Sequence, residues 1–322
     1  MQIMVTGGSG YLGSILCRKL LDLDQKVTCI DTCLYGTTSI AQLMQNENFK
    51  LVKSDIRNLS VMAKNLKGID AVIHLASIVG MPASGLDPES SFEINHLSTE
   101  ILAKMAKNRG VKHFIFASSC SVYGSAPDEM ITEKSQVNPL DNYAMHKFNS
   151  EDTVRHEFPF PTILRFGTLF GLSPRLRFDL VVNKFIAQAL SNEVITVYGG
   201  DQFRPFLHVS DAADSIVFAL NKELEGTFNV ISENMTLKDL GKKISDSLHT
   251  EYKIVNENND FRNYKVSMAK IHSFGFMPQK NLEFAIREFA SFFDSNRVDW
   301  KLPEYSNYDS LLVKRISKKA FI

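Results

Sequence analysis

A tyrosine and a lysine four residues apart form the pair in this sequence with the clearest chemical potential. Tyr143 and Lys147 stand in the segment YAMHK, and none of the other eight tyrosines has a lysine at that spacing. On a helix, residues four apart share one face, and a nearby ammonium lowers the pKa of a phenol because it favours the phenolate. We therefore expect Tyr143 to exchange a proton with a substrate hydroxyl near neutral pH.

Three glycines near the start of the chain predict a site for a dinucleotide. Gly7, Gly10 and Gly13 follow the apolar run QIMVT and precede an amphipathic run, which is the strand–turn–helix context of the dinucleotide-binding motif. The helix N-terminus offers free N–H groups to a pyrophosphate. Asp31 ends the next apolar run, where a carboxylate can accept hydrogen bonds from ribose hydroxyls and repels a 2′-phosphate. The pattern therefore favours NAD over NADP.

These residues need a scaffold that brings the ends of several strands together. In the first half of the chain, strand-like runs are found at 2–7, 26–31, 49–55, 70–77 and 113–119. Helical patterns lie between them, most clearly at 10–22, 89–109 and 141–157. This alternation predicts an α/β fold with a doubly wound parallel sheet of the Rossmann type. The second half is less regular, with strands expected at 161–167, 194–200 and 228–231, and helices at 179–191, 210–221, 236–248 and 281–293.

Composition limits the class of protein. The 322 residues include 36 Lys and Arg against 36 Asp and Glu, so no net charge attracts nucleic acid or an anionic membrane. The four cysteines form no C-x-x-C pair, which argues against a disulfide framework or a metal site of the zinc type. An apolar strand from residue 3 leaves no room for a signal peptide, and we find no run of about 18 apolar residues. We expect a cytoplasmic protein that does not bind a membrane.

Five motifs in the right order make the chain resemble the extended short-chain dehydrogenase/reductase family. They are TGGSGYLG at 6–13, Asp31, HLAS at 74–77, SSCSVYG at 118–124 and YAMHK at 143–147. Within that family the chain is similar to NAD-dependent nucleotide-sugar epimerases and dehydratases of the UDP-glucose 4-epimerase type. The resemblance extends from residue 1 to about residue 230.

The resemblance implies the role of each matching residue. Those expected to contact NAD are Gly7, Gly10, Tyr11, Leu12, Gly13, Asp31, Asp55, Ile56, Leu75, Ala76, Ser77, Asn95, Tyr143 and Lys147. The implied catalytic residues are Ser119, Tyr143 and Lys147, with Ser118 as the near alternative to Ser119. The implied substrate contacts are Ser119, Tyr143, Thr168 and Arg204, and the guanidinium of Arg204 suits a nucleotide diphosphate. His208 and Asp211 are expected to fix the strand–helix junction that follows.

Four positions depart from the family pattern. Cys120 and Ser121 stand where sugar 4,6-dehydratases have an acidic pair, so dehydration is disfavoured. Many relatives have Asn at the position of Thr168 and Asp at that of Pro205, which puts a contact to the nucleotide in doubt. We interpret Cys120 as a buried small residue without a reactive role.

The residues and the resemblance together predict NAD-dependent epimerisation of a nucleotide-diphosphate sugar. The expected carbon is C4, with a 4-keto intermediate, Tyr143 as acid and base, and transient hydride transfer to bound NAD. A reductase of a 4-keto nucleotide sugar that uses NADH or NADPH would need the same residues, although Asp31 argues against NADPH. A non-catalytic nucleotide-binding subunit is a third hypothesis, which the intact set of Ser119, Tyr143 and Lys147 disfavours.

The expected architecture has two interleaved domains and a second subunit. The NAD-binding domain is predicted over 1–166 and about 206–232, and the substrate domain over 167–205 and 233–322. The resemblance implies a homodimer in which the helices at 89–109 and 141–157 form a four-helix bundle with their counterparts. We interpret the chain after about residue 296, which ends in VKRISKKAFI, as a solvated or loosely packed end. A contact with a partner is the alternative.

Overall fold

The computed structural model describes residues 1–257 and 260–319. Its strands are β1 Gln2–Thr6, β2 Lys26–Asp31, β3 Phe49–Lys53, β4 Ala71–His74, β5 His113–Ser119, β6 Ser125–Ile131, β7 Thr162–Phe166, β8 Thr168–Phe170, β9 Ile195–Tyr198, β10 Phe203–His208, β11 Gly226–Val230, β12 Glu233–Thr236, β13 Tyr252–Val255 and β14 Asn263–Val266. Its helices are α1 Tyr11–Asp22, α2 Leu59–Asn65, α3 Met81–Leu86, α4 Pro88–Phe92, α5 Ser98–Asn108, α6 Asn142–Glu157, α7 Val181–Leu190, α8 Val209–Asn221, α9 Leu237–Leu248, α10 Ala269–Ser273, α11 Leu282–Ser295 and α12 Asn307–Lys319. A π-helical turn at Glu93–Leu97 joins α4 to α5.

Seven parallel strands form the central sheet, in the order β11-β7-β5-β4-β1-β2-β3. The strand order reverses between β1 and β4, which is the place where ligands bind at the carboxyl ends of such sheets. The sheet confirms the predicted α/β class and the Rossmann-type doubly wound architecture.

Alternate residues of the strands pack on opposite faces of this sheet. Val5 and Leu164 belong to the core on one face, where α1 packs beside α8. Met4, Phe116 and Ile163 belong to the core on the other face, where α5 packs beside α6. The strands are apolar on both faces because helices cover both, as in other parallel sheets.

A second apolar core forms around two smaller sheets in the later part of the chain. Strands β12, β10 and β8 make one sheet, and β13 pairs with β9. Phe170, Phe185 and Phe289 pack in this core. The boundaries predicted for the two domains remain a prediction. Ile271 and Phe276 lie within 233–322, the range predicted for the substrate domain, but they pack in the core of the central sheet.

The end of the chain forms several contacts with the rest of the molecule. Phe178 donates its N–H to the carbonyl of Tyr305 at 2.9 Å, and Asn307 donates its N–H to Asp179 at 3.0 Å. Helix α12 packs beside α3, and the ammonium of Lys314 donates to the carbonyl of Leu34. This part is therefore held by contacts with segments far away in the sequence, while most of its described side chains stay exposed or half-buried, in keeping with the interpretation of a solvated end. Residues 320–322 lie outside the described residues.

Candidate active site

The glycine turn between β1 and α1 has no space for side chains. Gly7 has a φ of +75°, and a Cβ on it would lie 2.8 Å from the backbone nitrogen of Ala76. A Cβ on Gly13 would collide with the carbonyl oxygen of Gly7. Gly10 is the N-cap of α1 and has no side chain to cap the helix, so the N–H groups of the first turn are left for a ligand. This turn fits the pyrophosphate of a dinucleotide.

Asp31 lies beside that turn, at the carboxyl end of β2. Its Oδ2 accepts a hydrogen bond from the N–H of Ser9 at 3.0 Å, and its Oδ1 accepts one from the N–H of Cys33 at 2.7 Å. These bonds fix the carboxylate next to the phosphate-binding turn. The predicted contact with ribose hydroxyls stays a prediction, and the position of the carboxylate is compatible with it.

The loop after β4 lies against the same turn, and Asn95 determines its shape. The side chain of Asn95 accepts hydrogen bonds from Ser77 Oγ at 2.9 Å and from the N–H of Ile78 at 2.7 Å. It also donates to the carbonyl of Ile78 at 3.0 Å. Asn95 is 1% exposed. Its amide therefore fixes the segment Leu75–Ser77, whose predicted contacts with the cofactor remain a prediction.

Asp55 and Ile56 follow β3 at the same edge of the sheet. Ile56 is buried, whereas Asp55 is bound by Arg57, whose Nη2 lies 2.8 Å from Asp55 Oδ2. Burial alone would raise the pKa of Asp55, but its interactions with Arg57 hold that pKa below the usual value. Arg57 also contacts Glu93 at 2.6 Å. Asp55 thus belongs to a charge cluster at the position predicted for the adenine.

Ser119, Tyr143 and Lys147 lie together at the carboxyl end of β5. Asp141 caps α6 with its side chain, which places Tyr143 in the first turn of this helix. The hydroxyl of Ser119 lies close enough to that of Tyr143 to lower the pKa of the phenol. One turn later, Lys147 Nζ donates to the carbonyl of Ala117 at 2.8 Å and lies 5.9 Å from the centre of the Tyr143 ring. The structure therefore brings the three predicted catalytic residues together.

Ser118 contacts different residues from those that Ser119 contacts. Its hydroxyl donates to Glu151 Oε1 at 2.5 Å. Glu151 is fully buried and is bound by Nε and Nη2 of Arg165 at 2.8 and 2.6 Å. Neighbouring residues of a strand point to opposite faces, so Ser119, and not its alternative Ser118, adjoins Tyr143. The Glu151–Arg165 pair is a feature that the sequence did not predict.

Burial dominates the pKa values of both titrating groups in the site. It raises the pKa of Tyr143 to about 12, with a further contribution from Asp141 and opposition from nearby arginines and Ser119. Burial also lowers the pKa of Lys147 to about 7, partly offset by the negative charge of Glu151. The expectation of a lowered pKa for Tyr143 is therefore wrong for this structure, because loss of hydration outweighs the nearby positive charges.

His74 is a buried histidine at the end of β4. Its Nδ1 lies 2.6 Å from Thr6 Oγ1 and its Nε2 lies 2.9 Å from Thr99 Oγ1. Burial, together with the charge of Lys147, lowers the pKa of His74 to about 3. The ring is therefore neutral at physiological pH and connects β1, β4 and α5.

Arg204 lies in a charge cluster that contains a second arginine. Arg204 is 4% exposed, and its Nη2 lies 2.9 Å from Oδ2 of Asp260. Arg262 Nη2 lies 2.7 Å from the same oxygen. Two guanidinium groups on one carboxylate leave a local excess of positive charge, which suits an anionic ligand. Thr168 lies on β8, which pairs with the strand of Arg204. Arg262 could not be predicted from the sequence, since no motif joins it to Arg204.

The junction after β10 is fixed as expected. His208 Nδ1 accepts the N–H of Ser210 at 3.2 Å and caps α8. Asp211 accepts two backbone N–H groups, at 3.1 and 2.8 Å, from residues 279 and 280. These bonds tie α8 to the segment before α11.

Cys120 is buried beneath the site. Its thiol donates to the carbonyl of Arg165 at 3.2 Å, and burial raises the pKa of the thiol above its usual range. A protonated, buried thiol has low reactivity, in agreement with the interpretation of Cys120 as a packing residue.

In the part of the chain that the structure describes, no group of three or more His, Cys, Asp and Glu side chains could hold a metal ion. No helix in that part has the length and apolarity needed to cross a bilayer.

Known relatives of this sequence are UDP-sugar epimerases and related enzymes. A UDP-glucose epimerase of Bacillus subtilis, described as uncharacterised, is 31% identical over 237 residues, which are 69% of this chain and 73% of the relative. A putative UDP-glucose 4-epimerase of Methanocaldococcus jannaschii is 27% identical over 308 residues, or 92% of this chain and 99% of the relative.

Solved structures lead to the same group. A UDP-N-acetylglucosamine 4-epimerase from Methanobrevibacter ruminantium superposes with a TM-score of 0.84 at 28% identity, over 91% of this chain and 98% of that one. A UDP-glucuronic acid 4-epimerase from Bacillus cereus, solved with NAD, gives 0.82 at 26% identity, over 92% and 99%. The model of the NAD dependent epimerase/dehydratase family matches residues 3–230. The chain therefore belongs to the NAD dependent epimerase/dehydratase family, as its motifs predicted, and is an enzyme that uses NAD.

Proposed function

We propose that this enzyme epimerises a nucleotide-diphosphate sugar at C4 through a 4-keto intermediate. The observation that supports this most directly is the grouping of Ser119, Tyr143 and Lys147 at the carboxyl end of β5, on the edge of the sheet where β1 leads into the glycine turn. The relatives that are named as UDP-sugar 4-epimerases support the same reaction.

In this proposal the protein moves one proton and orients one hydroxyl. Tyr143 takes the proton from the substrate hydroxyl and returns it after the sugar has turned in the pocket. Ser119 donates a hydrogen bond to the same substrate oxygen, and Lys147 stabilises the phenolate through its ammonium. NAD, when bound, contributes a hydride acceptor and a positively charged ring.

Arg204 and Arg262 are proposed to bind the diphosphate. Both guanidinium groups contact Asp260 at 2.9 and 2.7 Å, and their attraction holds the pKa of that carboxyl well below its usual range. A diphosphate has more charge and more acceptor oxygens than one carboxylate, so it can replace Asp260 as their partner. Thr168, on the neighbouring strand, is proposed as a further contact to the nucleotide.

Dehydration is a weaker candidate for this site. The family includes dehydratases, and a dTDP-D-glucose 4,6-dehydratase of Mus musculus is 25% identical over 327 residues. In this chain the residues after Ser119 are Cys120 and Ser121, and neither can act as the acid that assists the loss of water. Epimerisation needs no such group.

The test is to incubate the enzyme with UDP-sugars deuterated at C4 and to follow both epimers by NMR. We expect both epimers to retain deuterium, with no net reduction of NAD. Tyr143→Phe should abolish the interconversion of the two epimers. Tyr198→Phe is the matched control, because Tyr198 is 51% exposed. Undiminished turnover by Tyr143→Phe would exclude Tyr143 as acid and base. Loss of the label to solvent would exclude the hydride route, and stoichiometric consumption of reduced cofactor would indicate the reductase.

We also propose a homodimer that forms through α4, α5 and α6 of each subunit. Phe92 on α4, Leu97 on the π-helical turn and Met145 on α6 are 44%, 40% and 43% exposed on these neighbouring elements. Large apolar side chains that lie together on a surface favour a protein contact. Light scattering on the purified protein should give twice the chain mass of 36.3 kDa, and Leu97→Glu should give the monomer mass. A monomer for the unaltered protein would refute this assembly.

A further inference from the structure

A segment from the later part of the chain lies directly on the cofactor turn. Ser173 Oγ donates to the carbonyl of Tyr11, the first residue of α1, at 2.6 Å. In return, the hydroxyl of Tyr11 donates to the carbonyl of Gly171 at 2.6 Å. Ser173 also lies within hydrogen-bond distance of Ser14, at 3.2 Å between the two oxygens. The segment that begins at Gly171 is thus fixed at the N-terminal turn of α1.

Arg175 in this segment is a buried cation whose donors are largely unused. The residue is 6% exposed, and its Nε and Nη2 are buried without a hydrogen-bond partner among the residues that the structure describes. Its guanidinium carbon lies 4.1 Å from the centre of the Tyr35 ring. Arg177, two residues later, is different, because its Nε and Nη2 donate to both carboxylate oxygens of Asp179 at 2.9 and 2.8 Å.

The electrostatic environment of Arg175 is dominated by burial, and the nearby carboxylate of Asp179 is paired with Arg177. Burial, and next the positive charge of Arg177, lower the pKa of Arg175 to about 10. Buried guanidinium groups are normally paired, since unused donors in a protein interior cost free energy. Such a residue gains most from a ligand with several phosphate oxygens, which can accept from two nitrogens of the fork at once.

The neighbours of Arg175 belong to the NAD-binding elements. Tyr35 lies four residues after Asp31, in the loop at the carboxyl end of β2. Tyr11 begins α1, a twelve-residue helix whose first N–H groups have no side-chain cap. The hydroxyl of Tyr11 lies close enough to the guanidinium of Arg175 to influence its pKa.

We propose that Arg175 binds the pyrophosphate of NAD and closes the phosphate site from the side opposite the glycine turn. The helix N-terminus and the guanidinium then supply donors from two separate parts of the chain. A substrate-side residue that contacts the cofactor also explains how the enzyme retains NAD through repeated turnovers, because NAD cannot leave until this segment moves.

The experiment compares nucleotide binding to Arg175→Gln, Arg175→Lys and the unaltered full-length chain after removal of bound NAD. Calorimetry with NAD, ADP-ribose and adenosine separates the pyrophosphate from the nucleoside. We expect Arg175→Gln to weaken NAD and ADP-ribose by about 10- to 100-fold, from the usual value of a hydrogen bond to a charged group, and to leave adenosine unchanged. Arg175→Lys should show an intermediate loss. Arg18→Gln, which removes an exposed arginine of α1, is the matched control and should have no effect.

Thermal unfolding provides a second measurement that a merely structural role would not reproduce. Without ligand, Arg175→Gln should be as stable as the unaltered protein or more stable, because an unpaired buried charge is removed. Saturating NAD should raise the melting temperature of Arg175→Gln by less than it raises that of the unaltered protein. Three outcomes would each overturn the assignment: equal NAD affinities for the variant and the unaltered protein, an equal loss for adenosine, or an Arg175→Gln variant that unfolds without ligand while Arg175→Lys binds NAD normally. The test needs no sugar substrate, so its outcome is independent of the proposed epimerisation.

Discussion

Lys147 allows a quantitative test of the electrostatics of the site. Its ammonium is 2% exposed and donates to the carbonyl of Ala117, and burial lowers its pKa from 10.5 to about 7. In the unfolded chain the amine keeps its usual pKa, so between these two values the unfolded state binds more protons than the folded state. The free energy of unfolding must therefore rise with pH in this window.

The size of the effect follows from the two pKa values. At pH 6 the buried charge costs roughly 5 kcal/mol, since each pKa unit corresponds to about 1.4 kcal/mol. Between pH 7 and pH 9 about 2 kcal/mol of this cost should disappear, because the folded protein loses the proton around pH 7 while the unfolded chain still keeps it. Lys147→Met keeps the length of the side chain and removes the titration.

The assay is urea unfolding of the NAD-free protein at pH 6, 7, 8 and 9. We expect Lys147→Met to be more stable than the unaltered protein at pH 6, and this advantage to shrink by about 2 kcal/mol from pH 7 to pH 9. Using the difference between two proteins cancels the titration of the buried cysteines, which both share. Lys104→Met, at an exposed position of α5, controls for the loss of a lysine. A difference that is constant across this pH range would refute the buried charge.

Two further predictions concern the supports of the site. Arg165→Met should destabilise the protein by about 3–5 kcal/mol in urea unfolding, because it leaves the fully buried carboxylate of Glu151 without its main partner; a loss below 1 kcal/mol would show that this pair is hydrated. Asp31→Ala should weaken NAD about tenfold in calorimetry and leave NADP unchanged or tighter, since it removes both a hydrogen-bond acceptor and a charge that repels the 2′-phosphate. Equal losses for the two cofactors would refute the role of Asp31 in their discrimination.

The glycine turn, the parallel sheet and the Tyr143–Lys147 pair could be predicted from the sequence because short segments of the chain encode each of them. Gly7, Gly10 and Gly13 are required by one turn, and that turn is encoded within seven residues. The strands of the parallel sheet are apolar on both faces, so each appears as a short continuous run. Tyr143 and Lys147 are close in space because they are close in sequence, on one helix.

The remaining part of the site could not be predicted because its contacts join distant segments. Arg262 meets Arg204 through Asp260 and through a hydrogen bond from Arg204 to the carbonyl of Arg262. Nothing in the spacing of these residues indicates these contacts. The docking of the chain end on Asp179 has the same cause. The pKa of Tyr143 was predicted in the wrong direction because the pattern Tyr–x–x–x–Lys shows the positive neighbour and does not show the burial that outweighs it.

Helix α6 connects Tyr143 to the core of the protein. Tyr143, Lys147 and Glu151 follow one another at intervals of four, so they form a stripe along one face. The first contacts Ser119 in the site, and the last is bound by Arg165 in the interior. Glu151 raises the pKa of Lys147 against the effect of burial, so the buried ion pair also influences the charge beside Tyr143. If Tyr143 is the acid and base, as proposed, the charge of its neighbour therefore depends in part on a fully buried carboxylate two turns away.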